Sequence, residues 1–247
     1  MKSDEKKENT FQNILQEEAN KIGVTLTPVM LQRLETYKNM LLAWNEKMNL
    51  TAITDEYEII IKHFIDCIMI TKYIEPHSRV IDVGTGAGFP GIVIAIFYDQ
   101  QINITLLDSL NKRLLFLQEV VDTLQLKNVT IIHGRAEEIA HKSEFREQYD
   151  VVVSRAVANL PVLLEYTTAY VKPGGICLYM KADSVDQELK SASNAIKTLR
   201  VNLHNKYSYT LTVSQENFTR NILFMIKQGS TPNKYPRNYG KIKKQPL

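Results

Sequence analysis

The chain has 247 residues, 44% of them hydrophobic and 23% charged, with a net charge of +3. Those are the proportions of an ordinary globular protein, with room for one large α/β domain and a small appendage. The only cysteines, Cys67 and Cys177, exclude a disulfide framework and a cysteine-built zinc site, and they suit a reducing cytoplasm.

Residues 1–10 are polar and mixed in charge, unlike a signal or transit peptide, and are expected to fray. Phe11–Ile22 reads as a short helix. Thr27-Pro28 marks a second helix start, with threonine as cap and proline in the first turn. Leu31, Leu34, Tyr37, Leu41, Trp44 and Met48 then follow at amphipathic helical spacing. Residues 45–54 read as a polar connection and 56–74 as helical again. Ile59–Ile74 contains Lys62, His63, Asp66 and Lys72, so it reads as a buried helix and not a membrane span.

From Ser78 the pattern changes. Strands are predicted at 79–83, 102–107, 129–133, 149–154 and 176–180, and helices at 91–98, 111–126, 161–171 and 186–199. Pro173-Gly174-Gly175 reads as a turn, and 206–213 and 221–227 as a possible strand pair. Alternating strands and helices predict a mostly parallel sheet covered by helices. The division is a helical extension over 1–75, an α/β domain over 76–228 and a basic tail over 229–247. The tail has five basic residues, no acid, and two tyrosines, a composition that suits a polyanion.

Val80-Ile81-Asp82-Val83 runs straight into Gly84-Thr85-Gly86-Ala87-Gly88-Phe89-Pro90-Gly91, and a helix follows. Glycines there permit positive φ and close approach of a ligand to the backbone. Asp108 ends the next strand, where an acid accepts hydrogen bonds from a ribose diol. Two cofactors share this geometry. Gly86–Gly91 formally satisfies the dinucleotide pattern G-x-G-x-x-G, which brings a pyrophosphate to a helix N-terminus. The run Asp-x-Gly-x-Gly-x-Gly also resembles motif I of the class I S-adenosylmethionine methyltransferases. That ligand has no phosphate, and Asp82 would help hold its ammonium.

A closer resemblance covers Phe11 to the C-terminus. It is carried by Asn49-Leu50-Thr51-Ala52-Ile53, His63-Phe64-Ile65-Asp66, the glycine run Asp82–Gly91, Gly134-Arg135-Ala136-Glu137-Glu138, Ser154-Arg155-Ala156-Val157-Ala158 and Lys234-Tyr235-Pro236-Arg237. Together these resemble the glucose-inhibited division protein B family, the bacterial ribosomal small-subunit methyltransferases G. The resemblance implies a Rossmann-like class I fold with a seven-stranded, mostly parallel sheet, helices on both faces and an N-terminal helical extension. It implies a cytoplasmic enzyme transferring a methyl group from S-adenosylmethionine to N7 of a guanine in the 530 loop of 16S rRNA, free or in the small subunit.

Cofactor positions of the family fall on Gly84, Phe89, Asp108, Ser109, Leu110, Ala136, Glu137 and Arg155, to which the loop chemistry adds Asp82, Gly86 and Gly88. Arg155 and Arg220 are the candidate catalytic residues, and Arg135, Arg220, Lys234 and Arg237 the candidate RNA contacts. The tail departs from the family pattern after Arg237, where Asn238-Tyr239-Gly240-Lys241 replaces a glycine-proline turn.

The chemistry of the residues agrees with an N7 acceptor. The Asp/Asn-Pro-Pro-aromatic run of exocyclic-amine methylases is missing after the fourth strand, and neither cysteine lies on a loop suited to a nucleophile. Guanine N7 carries a lone pair and no proton, so alignment alone suffices. His63 and Asp66, three apart on one helix face, lack a third metal ligand and read as hydrogen-bonding groups near the substrate mouth. No metal is expected, and a monomer is. The competing readings are a methyltransferase of the same fold acting on protein or a small molecule, a nonenzymatic RNA-binding factor, and an NAD oxidoreductase.

Overall fold

Threonine caps open the first two helices in the computed structural model, which describes residues 10–247. The expectation for 1–9 therefore lies outside the described residues. The Thr10 hydroxyl accepts from the Asn13 amide ahead of α1 (Phe11–Lys21), and that of Thr27 from Met30 ahead of α2 (Pro28–Met48). Helix α2 runs through the predicted polar connection as far as Asn49, which ends it in a left-handed conformation at φ 48°. The polarity of Asn45–Lys47 is that of an outward-facing last turn. Next come α3 (Glu56–Ile59), a π-helical segment (Ile60–Ile65) and α4 (Asp66–Ile68).

The sheet has seven strands: β1 (Arg79–Val83), β2 (Asn103–Asp108), β3 (Val129–His133), β4 (Tyr149–Arg155), β5 (Val171–Lys181), β6 (Val201–Val213) and β7 (Glu216–Lys227). Their order is β3-β2-β1-β4-β5-β7-β6. The first five are parallel, and β7 inserts antiparallel between β5 and β6. Ser214 and Gln215 join β6 to β7 with φ of 49° and 69°, the two positive values that match a hairpin turn to strand twist. Both strands start five residues earlier than predicted.

Pro173-Gly174-Gly175 lies inside β5 and not ahead of it. Tyr149 pairs with Val171 and Val151 with Ile176, so the intervening residues bulge out, with Gly174 at φ 83°. The predicted helix 186–199 is two helices, α9 (Val185–Ser191) and α10 (Ser193–Thr198), broken at Ala192.

Alternate side chains feed two cores, as strand pleating requires. Val80, Leu106, Val151, Val153 and Met180 face α1, α2, the 56–68 segment, α5 (Gly91–Tyr98) and α6 (Asn111–Thr123). Ile81, Leu107, Val152, Cys177 and Tyr179 face α7 (Ala136–Ile139), α8 (Leu160–Thr167), α9 and α10. Strand β4 is thus covered on both faces, as its unbroken apolar run predicts. The N-terminal helices share a core with the sheet, and the Tyr37 hydroxyl donates to the Ala87 carbonyl at 2.5 Å inside the glycine run.

Candidate cofactor and acceptor site

The strand order reverses between β1 and β4, and ligands of open α/β sheets bind at the carboxyl ends beside such a point. Gly84, Gly86 and Gly88 all have positive φ. The amides of Gly84 and Thr85 donate to the Leu107 carbonyl at 2.8 and 3.1 Å, which curls the loop over β2. Asp82 is fully buried beneath it. Its Oδ2 accepts from the Thr85 hydroxyl at 2.7 Å and the Gly91 amide at 2.8 Å, and its Oδ1 has no partner. Burial pushes this carboxyl up to about 7. Asp82 therefore braces the loop from below and does not line the cavity above it.

Asp108 organises the other side. Its Oδ2 accepts from the Gly86 amide and its Oδ1 from the Leu110 amide, both at 2.9 Å, with Arg113 at 3.4 Å. Beyond it lies a cavity of about 380 Å³ whose wall includes Gly84, Asp108, Ser109, Arg135, Ala136 and Glu137, residues contributed by the ends of β1, β2 and β3. A nucleoside-bearing cofactor fits here. The carboxylate keeps acceptor capacity for a diol, and a Cβ on Gly84 would stand 2.5 Å from Val157 Cγ2, another wall residue.

Gly84→Ala is accordingly expected to push Val157 into the cavity and weaken S-adenosylhomocysteine binding by about 1–3 kcal/mol, a typical overpacking cost. Calorimetric affinity equal to wild type would reject this geometry.

A second cavity, about 430 Å³, opens on the other side of Ala156, which lines both. Its wall includes Lys62, His63, Asp66, Arg155, Lys181 and Arg220. Arg155 is the centre of this wall. It donates to the Lys62 carbonyl at 2.9 Å, Asp66 Oδ2 at 3.0 Å and His63 Nδ1 at 3.1 Å, and lies 5.0 Å from the Phe89 ring centroid. The π-helical segment supplies the carbonyl and imidazole, and Asp66 follows directly in α4. The other carboxylate oxygen of Asp66 accepts from the Tyr209 hydroxyl at 2.7 Å. A donor at Nδ1 fixes the His63 proton on Nε2, which donates to the Thr51 hydroxyl at 3.0 Å.

Burial, then the adjacent Arg155 charge, hold His63 down to about 3. The unfolded chain therefore takes up a proton below pH 6.5 that the folded chain refuses, and stability falls as pH drops from 6.5 towards 3. Replacing His63 by glutamine is expected to flatten that part of the melting-temperature profile. Identical slopes for the two proteins between pH 6.5 and 4.5 would exclude a neutral buried imidazole.

The predicted residues thus divide. Gly84, Asp108, Ser109, Ala136, Glu137 and Arg135 meet at the first cavity, and Arg155 and Arg220 at the second. Arg155, expected from sequence as both a cofactor contact and a catalytic residue, lines the second cavity, where its guanidinium is held by Asp66 of the helical layer. Phe89 lies in the core between His63, at a 4.4 Å centroid distance, and Tyr37, at 5.2 Å. Gly86 and Gly88 shape the loop without lining the cavity, and Leu110 is 52% exposed.

The predicted tail contacts, Lys234 and Arg237, line neither of these two cavities. Arg237 donates to both oxygens of buried Glu165 at 2.8 and 2.7 Å, so part of its fork is engaged within the protein. Lys234 is exposed beside Tyr235. Sequence reasoning missed Val157, Tyr166 and Tyr239 in the first cavity and Lys181 and Glu188 in the second. Val157 lies in the Ser154–Ala158 run, and the others carry no local motif.

Comparison with known proteins agrees with the geometry. The family model for GidB, rRNA small subunit methyltransferase G, matches residues 30–218. The ribosomal RNA small subunit methyltransferase G of Clostridium tetani is 44% identical over 96% of this chain and 99% of its own length. That of Clostridium kluyveri is 46% identical over 92% of this chain and 94% of its own. Among solved structures, M. jannaschii TYW2 in complex with AdoMet shares the fold at a TM-score of 0.52 and 13% identity, over 66% of this chain and 75% of its own. A glycine loop over an acid-ended β2, a seven-stranded sheet with a terminal antiparallel hairpin, and full-length relatives lead to one assignment: the chain belongs to the GidB family of S-adenosylmethionine-dependent rRNA small subunit methyltransferases.

Proposed function

We propose that the chain methylates N7 of a guanine in the 530 loop of 16S rRNA, acting as a cytoplasmic monomer on the RNA or the small subunit. The observation that carries this reading is the state of the acceptor cavity's ionisable groups. Asp66 is engaged by Arg155 and Tyr209, and Glu188 by Lys181 at 2.6 Å and the Leu160 amide at 2.7 Å. The His63 imidazole is turned to Arg155 and Thr51. The carboxylates and the imidazole on this wall are thus already committed to partners in the protein, which suits an acceptor nitrogen that has no proton to lose. An exocyclic amine would ask more of a base.

S-adenosylmethionine supplies an electrophilic methyl group when bound. The residues of the chain contribute orientation. Asp108 and the glycine loop would hold the nucleoside half in the first cavity. Ala156, at φ 57°, follows β4 and lines both cavities, with only a methyl group for a side chain. Three of the five Arg155 N–H donors are used inside the protein, which leaves two for the guanine or its phosphate. Arg220, on β7, presents further positive charge at the same mouth, suited to an RNA backbone, while Lys62 there is paired with Glu58 at 2.7 Å.

The test is methyl transfer from labelled S-adenosylmethionine to small subunits lacking native base methylation, followed by digestion and mass spectrometry of nucleosides. Label in 7-methylguanosine within the 530 loop is the expected result. Label in another nucleoside would keep the family assignment and overturn the N7 reading.

A further inference from the structure

The first cavity has a wall that no family motif supplies. Tyr239, from the C-terminal segment, lines it beside Arg135, Glu137 and Tyr166, at the end formed by β3 and α8. The ring is 40% exposed. It is nevertheless held in place. The Arg135 guanidinium lies 4.3 Å from its ring centroid and donates through Nε to Glu137 at 2.9 Å. The Lys243 ammonium donates to its hydroxyl at 3.1 Å from one turn further along α11 (Tyr239–Lys244).

The backbone leading to Tyr239 is clasped to the domain. Arg146 donates to the carbonyls of Thr231 at 2.8 Å and Tyr235 at 3.0 Å, and the His141 ring meets the Pro236 carbonyl at 2.8 Å. Arg237 grips Glu165 of α8, and Asn238 caps α11 by accepting from the Lys241 amide at 3.0 Å. Ile242 is fully buried and anchors the far side of the helix. This many contacts to a chain terminus fix one position of the ring, and that position borders the cavity.

We infer that Tyr239 is a cofactor-binding residue, its ring packing against the adenine end of S-adenosylmethionine, and that the basic tail serves cofactor retention through it. A planar aromatic ring at the lip of a pocket recognises a planar heteroaromatic ligand by offset or edge-to-face packing, and with Arg135 over the Tyr239 ring the ligand would meet the part of the ring that remains open. Of the two cations that hold the ring, Arg135 is already paired with Glu137. The inference rests on the first cavity being the cofactor's, so the experiment carries a control for that reading.

Calorimetric titration of the full chain with S-adenosylhomocysteine, and separately with adenosine, is the measurement. Tyr239→Ala should weaken both ligands by about fivefold to tenfold, and Tyr239→Phe should bind as wild type, since stacking needs the ring and not the hydroxyl. Asp108→Ala is the control and should weaken both ligands more strongly. Wild-type affinity in Tyr239→Ala, with Asp108→Ala impaired, would overturn the role of Tyr239 and leave the cavity assignment standing. A loss for S-adenosylhomocysteine but not adenosine would overturn the stacking. Unchanged binding in Asp108→Ala would remove the cofactor from this cavity altogether, and the inference with it. Melting temperatures of Tyr239→Ala without ligand should match wild type, because the ring is exposed; a large fall would assign the residue to the fold instead.

Discussion

Arg155→Ala is expected to lower kcat/KM for methyl transfer to rRNA by at least about 100-fold, a loss of two charge-assisted contacts, and to cost about 3–5 kcal/mol of stability. The two effects have one origin. Arg155 ends β4 and reaches across to the helical layer, where it neutralises buried Asp66 and caps the Lys62 carbonyl. Without it Asp66 stays buried with only the Tyr209 hydroxyl on one oxygen and Arg220 at 3.9 Å. The acceptor wall then loses both its charge and its shape. Arg155→Lys separates the contributions. It keeps a cation near Asp66 but cannot reproduce the fork that reaches carboxylate, carbonyl and imidazole together. It is expected to recover most of the stability in urea unfolding while single-turnover transfer stays well below wild type. Full transfer by either variant would remove Arg155 from the acceptor site.

The role of Arg155 also shows how far the sequence could be read. Strand parity was available: Val151, Val153 and Arg155 must share one face of β4, and Val152 and Ser154 the other. Ser154 accordingly turns its hydroxyl to the Val83 carbonyl at 2.9 Å beneath the glycine loop. The layer that covers the Arg155 face was not available, because no local pattern says that residues 60–66 return there. The resemblance to the family names Arg155, and the structure adds its partners in the helical layer.

The glycine loop was legible for the opposite reason. A strand, three alternating glycines and a second strand ending in an acid are all local, and each has a conformational cause that admits few substitutes. The hairpin β6–β7 was only half visible, since Ser214-Gln215 adopts a turn normally marked by asparagine or glycine. Composition registers the lysines and arginines of the tail but not their partners. Glu165 and Arg146 lie in distant segments, and their grip on residues 231–237 turns a basic tail into part of the cavity wall.

Gly88→Ala is expected to destabilise the chain by about 3–4 kcal/mol, the sum of a left-handed backbone penalty and a steric one. At φ 101° the residue already lies where L side chains rarely go. An added Cβ would stand 2.7 Å from Ile92 Cγ1, 2.7 Å from the Tyr37 hydroxyl and 2.9 Å from Leu117 Cδ2. These atoms belong to α5, α2 and α6, so relief requires three helices to move, and the Tyr37 bond to the Ala87 carbonyl is the first contact to yield. Gly174→Ala supplies the comparison. Its φ of 83° is as unfavourable, but nothing lies within 4 Å of the position a Cβ would take. It should cost only about 1–2 kcal/mol. The gap between the two variants in urea unfolding therefore measures how tightly α2, α5 and α6 together clamp the glycine loop. A gap near zero would mean that α2 gives way freely and that the helical extension does not hold the cofactor loop in shape.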